Sequence, residues 1–217
     1  MGLGLMRSSV ARQSTPWMTV CLVGILATGG LACPAAAVEL TPPARFVRVL
    51  YFYADPSLPP IGHSRFCLRY PDDCAVHGID FRRRNIALTR ERQIELDTVN
   101  REVNRGIIPQ LSADNEATEE WLLSPPVGDC KDYAITKRHE LLSRGWPSRA
   151  LLLSEVITLS GEHHLVLVVR FKNVDLVLDN LNTHIRSVPE TYRQYRWVRI
   201  ETPQNPRFWA RVRLPGV

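Results

Sequence analysis

Cys130, His164 and Asp179 have the residue types, order and setting for one chemistry, attack of a thiolate on a carbonyl carbon. A cysteine acts as a nucleophile in its thiolate form, so it needs a base within reach and a local field that favours an anion. The run Gly128-Asp129-Cys130-Lys131-Asp132-Tyr133-Ala134 opens a predicted helix that continues to about Ser143, with Gly145 and Pro147 ending it. That places Cys130 in the first turn, where unpaired N–H groups and the positive end of the helix dipole favour negative charge. The same N–H groups could hold the oxyanion of a tetrahedral intermediate, worth about 3 kcal/mol per well-placed donor. Gly128, with no side chain, is expected to let a substrate backbone approach closely.

The base has to come from a rigid element beside that helix, with a third group holding its imidazole in one tautomer. His164 opens the apolar run His164-Leu165-Val166-Leu167-Val168-Val169, and Asp179 closes Leu176-Val177-Leu178-Asp179. Paired as a hairpin, the two runs bring their outer ends together at one edge of a sheet. His163 competes with His164, but strand alternation points the two to opposite faces, so one alone can meet the cysteine. His63, His77, His139 and His184 lack a comparable setting. Taken singly, each member has an ordinary structural explanation, and Asp179-Asn180 alone reads as turn chemistry. Their joint occurrence in this order is what points to catalysis.

The elements that must position these groups follow from periodicity. Ile94, Leu96, Val99 and Val103 lie among polar residues from about Thr89 to Arg105, an amphipathic helix with Thr89 as cap and Gly106 as stop. Residues 107–126 read as an acidic surface loop (Asp114, Glu116, Glu119, Glu120) that closes on Trp121-Leu122-Leu123-Ser124-Pro125-Pro126. After Pro147 the period drops to that of strands: 149–156, 164–171 and 175–179, with turns at Gly161-Glu162 and Lys172-Asn173, and one more strand within 197–212. Residues 38–80 hold six prolines, which predicts a strand or two, including Phe46–Tyr51, and loops over the core with little functional content. The fold class expected is α+β, helices followed by an antiparallel sheet.

Residues 1–37 read as a secretory signal peptide: Arg7 and Arg12, an apolar stretch from about Trp17 to Ala32, then Ala35-Ala36-Ala37. The expected location is therefore the periplasm, and 38–217 is expected to form a single domain. Without Arg7 and Arg12 the formal net charge falls from +5 to +3, a mild balance in which Arg82-Arg83-Arg84 is a solvated face; no nucleic-acid partner is expected. In an oxidising compartment disulfides persist. Cys67 and Cys74 flank a short proline-containing span suited to a local bridge; zinc with His77 is the rival, at a spacing wider than the usual metal knuckle. A bridge there leaves Cys130 as the free thiol.

Val99-Asn100-Arg101-Glu102-Val103-Asn104, Trp121, Pro125, Gly128-Asp129-Cys130-Lys131-Asp132-Tyr133-Ala134, Lys137, His164-Leu165-Val166-Leu167 and Leu178-Asp179-Asn180-Leu181 together resemble the bacterial transglutaminase-like cysteine proteinases. The segment Phe66-Cys67-Leu68-Arg69-Tyr70-Pro71-Asp72-Asp73-Cys74 looks like one subset of that family. The resemblance implies a papain-like, transglutaminase-type core and a Cys130-His164-Asp179 triad. It also implies a periplasmic protein substrate such as a surface adhesin, control by an inner-membrane receptor, and calcium held by acidic residues around the nucleophile. Asp129 and Asp132 match two of those calcium positions. At the third, Lys131 replaces a carboxylate with an ammonium, which removes an oxygen donor and repels a hard cation. The sequence therefore speaks against calcium, and the triad itself requires no cofactor. Lys131 either favours the Cys130 thiolate or simply points to solvent.

Three functions stay open at this level. The first is an endopeptidase, acting as a monomer on an exported or surface protein. The second is acyl transfer from glutamine to an amine through the same acyl-enzyme, and the third is a non-catalytic binding module that kept the fold.

Overall fold

The computed structural model describes residues 52–78, 86–111 and 119–213. The signal-peptide reading, the Phe46–Tyr51 strand, Arg82–Arg84, Asp114 and Glu116 lie outside the described residues. The elements in chain order are β1 (Phe52–Ser57), α1 (Ile61–Arg69), α2 (Arg90–Gly106), β2 (Ile108–Pro109), β3 (Val127–Gly128), α3 (Cys130–Ser143), β4 (Leu151–Thr158), β5 (His163–Arg170), β6 (Asp175–Leu178), β7 (Arg186–Ser187), α4 (Val188–Thr191), β8 (Tyr195–Thr202) and β9 (Asn205–Arg213).

Among the described residues, seven strands form one antiparallel sheet in the order β1-β9-β8-β4-β5-β6-β7, and β2 pairs with β3 in parallel as a separate two-stranded piece. The architecture is α+β, with the helices packed on a largely antiparallel sheet. The central strands are buried on both faces, which is why His164–Val169 and Leu151–Leu153 read as continuous apolar runs and not as alternation. Leu151, Leu153, Leu165, Leu167 and Leu178 face a cluster shared with Leu96 and Val99 of α2 and Tyr133 and Leu141 of α3. Leu152, Val166, Val168 and Val177 face the opposite side, against Val188, Trp197 and Ile200.

The α2 helix is the amphipathic segment expected, and the Thr89 side chain accepts the Arg92 N–H as its cap. The α3 helix is different. It buries residues all round, including Thr136, Lys137 and Arg138, so no single apolar stripe marks it. Arg138 donates there from Nε to the Leu151 carbonyl at 3.1 Å and from Nη1 to the Asp73 carbonyl.

Two expectations need correction. Residues 52–78 contain a nine-residue helix, α1, in the proline-free window between Pro60 and Pro71, where strand and loop were expected. Its buried stripe is Gly62, His63, Phe66 and Cys67. Gly62 lies so close beneath Trp121 that a Cβ there would come within 2.3 Å of the indole nitrogen. The segment 197–212 is most of a two-strand hairpin, β8 and β9, whose second strand carries β1 on its outer edge.

Cys67 and Cys74 form a disulfide that ties the end of α1 to the short turn after it, and His77 hydrogen-bonds the Asp72 carbonyl instead of joining a metal site. For a loop this short, chain entropy gives about 2.5 kcal/mol of stabilisation. Cys67→Ala/Cys74→Ala is expected to lower the urea midpoint accordingly, and adding reductant to the wild type should reproduce the shift.

Candidate active site

The N-terminus of α3 is closed by reciprocal hydrogen bonds. Asp129 is the N-cap: its Oδ1 accepts the Lys131 N–H at 2.9 Å, its side chain also accepts the Asp132 N–H, and Asp132 Oδ2 accepts the Asp129 N–H at 3.0 Å. This is a capping box with aspartate in place of the usual glutamate. Asp132 Oδ1 reaches further and accepts the Leu122 N–H at 2.8 Å. Burial raises the Asp132 carboxyl to about 6, although the two N–H donors act in the other direction. The N–H of Cys130 itself is left without an acceptor among the described residues.

Gly128 serves this cap. A Cβ on it would fall 2.5 Å from Asp132 Oδ2, so the space above it belongs to the Asp132 carboxylate and not to a substrate backbone, which corrects the reading from sequence. The N–H of Gln110 donates to the Gly128 carbonyl at 2.8 Å and holds the β2 segment alongside.

Cys130 is a buried free thiol at the first helical position. His164, at the start of β5, hydrogen-bonds Asp179 Oδ1 through Nε2 at 2.9 Å, and Cys130 lines the same cleft close enough to act on the ring. Asp179 is fully engaged. Oδ1 also accepts the Leu181 N–H at 3.0 Å, and Oδ2 accepts from Asn182 Nδ2 at 3.1 Å and from the Tyr195 hydroxyl. The turn chemistry of Asp179-Asn180 and its contact with His164 therefore coexist. Asn104 Nδ2 fixes the Asp179 backbone by donating to its carbonyl at 3.0 Å. Burial alone would push His164 down, but the hydrogen bonds to Asp179 and Cys130 and their negative charges outweigh it and raise the ring to about 9. Burial opposes ionisation of Asp179, and its donors, led by His164, hold it well below the usual carboxylate range.

His163 does not join this line. It pairs with Glu155 Oε1 at 2.5 Å, and Glu155 Oε2 takes Arg199 Nε. His63, set aside in the sequence, does have a partner: it is buried, contacts Glu201 Oε1 through Nε2 at 3.0 Å, and lies edge-on to Trp209. That pair joins α1 to the sheet. Its two members stand 138 residues apart in sequence, so no local signal could have linked them. Tyr195 was missed because nothing in a solitary tyrosine marks the carboxylate it will meet.

Lys131 is neither exposed nor directed at solvent. Its Nζ lies 2.5 Å from Glu119 Oε1 and 2.8 Å from Asp129 Oδ2, and all three side chains are largely buried. Burial opposes its charge, but the negative charge at Cys130 and the two carboxylates prevail and raise it. Glu119 is itself oriented by the Trp121 indole N–H, which donates to Oε2 at 3.1 Å. Cys130, His164, Lys131, Glu119 and Gln110 line one open cleft of about 660 Å³. Pro60, Ile61, Leu111 and Leu181 add apolar walls, so the N-terminal segment does contribute to the site.

The family model described as Bacterial transglutaminase-like cysteine proteinase (BTLCP) matches residues 53–215. The chain belongs to this family. Its fold is the α+β arrangement described above. Among solved structures the chain is similar to LapG of Legionella pneumophila, at 26% identity over 50% of this chain and 62% of that one, with a TM-score of 0.43. An EGTA-treated form matches equally, and a calcium-bound form matches at 24% identity over 54% of this chain and 68% of that one, with a TM-score of 0.47. The chain thus spans less than two thirds of the first LapG structures it matches. No curated protein matches it.

Two outcomes test this geometry. Gly128→Ala should displace the Asp132 carboxylate and cost about 1–2 kcal/mol of stability, the value of a lost cap, read from its urea midpoint. His164 titrates near 9 in the folded chain against an ordinary 6.5, so its interactions stabilise the fold fully below about 6.5 and lose that contribution as pH rises through 9. The wild-type melting temperature should therefore fall more steeply between those values than that of His164→Gln.

Proposed function

We propose that this chain is a periplasmic endopeptidase that cleaves an exported or surface protein through Cys130, His164 and Asp179. The observation that carries the reading is the buried His164–Asp179 hydrogen bond at 2.9 Å, with His164 and the free thiol of Cys130 lining one open cleft. His164 holds a proton at neutral pH, and the nucleophile is Cys130 in its thiolate form beside that imidazolium. The thiolate adds to the scissile carbonyl carbon, and the tetrahedral oxyanion takes a hydrogen bond from the Cys130 N–H, the first-turn donor that the capping box leaves free. The second donor is the Gln110 side-chain amide, which lines the same cleft from a backbone tied to Gly128. His164 then gives its proton to the leaving amine, and water, with His164 as base, hydrolyses the thioester. Asp179 orients the ring and stabilises its cation throughout.

No step requires a metal or an organic cofactor. The Cys67–Cys74 disulfide supports an oxidising compartment, in accord with the signal-like N-terminus. The resemblance makes a surface adhesin the substrate to try first, and an inner-membrane receptor the regulator to look for.

Cys130→Ala should reduce peptide cleavage to background and abolish labelling by a cysteine-directed probe. His164→Ala is expected to lose about 10²–10⁴-fold in kcat, with His163→Ala close to wild type. The kcat/KM profile should fall on its basic side near pH 9, where His164 loses its proton. Asp179→Asn should move that limb to lower pH, because the carboxylate that raises the imidazole is gone. A wild-type protein that labels no faster than free cysteine would overturn the reading.

A further inference from the structure

We propose that the Lys131 ammonium is a built-in cation at the cleft wall, doing there without a metal what a bound divalent ion would do. Its Nζ joins Glu119, on the segment that leads into Trp121, to Asp129, the cap of α3. The two halves of the wall come from opposite sides of a loop, and two nearby acids must meet to form it. A cation between them cancels their repulsion, and a tethered one does so at no cost in ion capture.

The oxygen atoms at this site do not suit calcium. A calcium ion takes six to eight oxygens at about 2.3–2.6 Å. Here the space between the Glu119 and Asp129 carboxylates is filled by Nζ, at 2.5 and 2.8 Å from them. Asp129 Oδ1 is bound to the Lys131 N–H, and both Asp132 oxygens accept backbone N–H groups, from Leu122 at 2.8 Å and from Asp129 at 3.0 Å. Turning Asp132 toward an ion would break the cap of α3. Glu119 is fixed from behind by Trp121, which in turn rests on Gly62 of α1, so the ammonium receives a prepositioned oxygen and not a mobile surface acid. The salt bridge is nearly removed from solvent, with side-chain exposures of 12% for Lys131, 14% for Glu119 and 17% for Asp129, so it is not a weak surface pair.

The clamp shares the cleft proposed above but does not depend on Cys130 being the nucleophile, and thermal unfolding tests it apart from activity. Wild type and Cys130→Ala should each melt at the same temperature in millimolar calcium chloride and in EGTA. Lys131→Met should melt lower by about 5 °C in both, because one ammonium is lost and two acids are left facing each other. Lys131→Glu should melt lower still in EGTA and recover several degrees in calcium, since it supplies the oxygen that the wild type lacks. Calcium binding to the wild type by titration calorimetry, or a wild-type melting temperature that rises with calcium, overturns the proposal. So does a Lys131→Glu protein, folded by circular dichroism, that gains no response to calcium. Loss of peptidase activity in the wild type with this thermal pattern intact would count against the triad reading and leave the clamp standing.

Discussion

The reciprocal hydrogen bonds between Asp129 and Asp132 are the constraint on which the site depends. Asp132 closes the cap of α3, takes the Leu122 N–H from the incoming loop, and needs the empty space above Gly128 to do so. One buried carboxylate thus fixes where the helix starts, where the loop lies and which residue must have no side chain. The cap uses up the first-turn N–H groups around Cys130, and the single one left over is that of the cysteine itself. A helix N-terminus is usually described as a broad field of positive potential. Here capping narrows that field to one donor at the proposed nucleophile.

The sheet supplies the other half of the site by being covered on both faces. Burial in low dielectric magnifies every charge that stays there, so each charged group must be matched. Asp179 meets this demand with four donors from His164, Leu181, Asn182 and Tyr195. Lys137 shows the cost of not meeting it. Fully buried in α3, without a hydrogen-bond partner among the described residues and with the Tyr133 ring 5.9 Å away, it is lowered by burial to about 7, with Asp179 acting in the opposite direction.

Much of this was legible in the sequence, and the reason differs by element. The α2 helix carries its own period and cap, and the β5–β6 hairpin is announced by two apolar runs around Lys172-Asn173, so both could be read locally. The start of α3 was readable from Gly128-Asp129-Cys130, but the role of Gly128 was not, because it depends on a side chain four residues away folding back over it. The α1 helix was hidden by the prolines on either side of it. The pair His63–Glu201 was invisible because its members are remote in sequence, and Tyr195 because nothing in a solitary tyrosine says which carboxylate it will meet.

Around the thiol, charge alternates along one continuous path. Glu119 is followed by Lys131, then Asp129 beside Cys130, then His164 and Asp179. A negative charge on the Cys130 sulphur interacts with cations on two sides, His164 from the sheet and Lys131 from its own helix, and each of those is held by a carboxylate behind it. Such an order lets a buried anion form without any one partner bearing its full compensation. It also separates the two cations by task. In the proposed mechanism His164 loses its proton to a leaving group because its charge depends on the sulphur and on Asp179, whereas Lys131 has two carboxylates of its own. The histidine is therefore the mobile charge of the site and the lysine the fixed one, a division set by which carboxylates stand behind each.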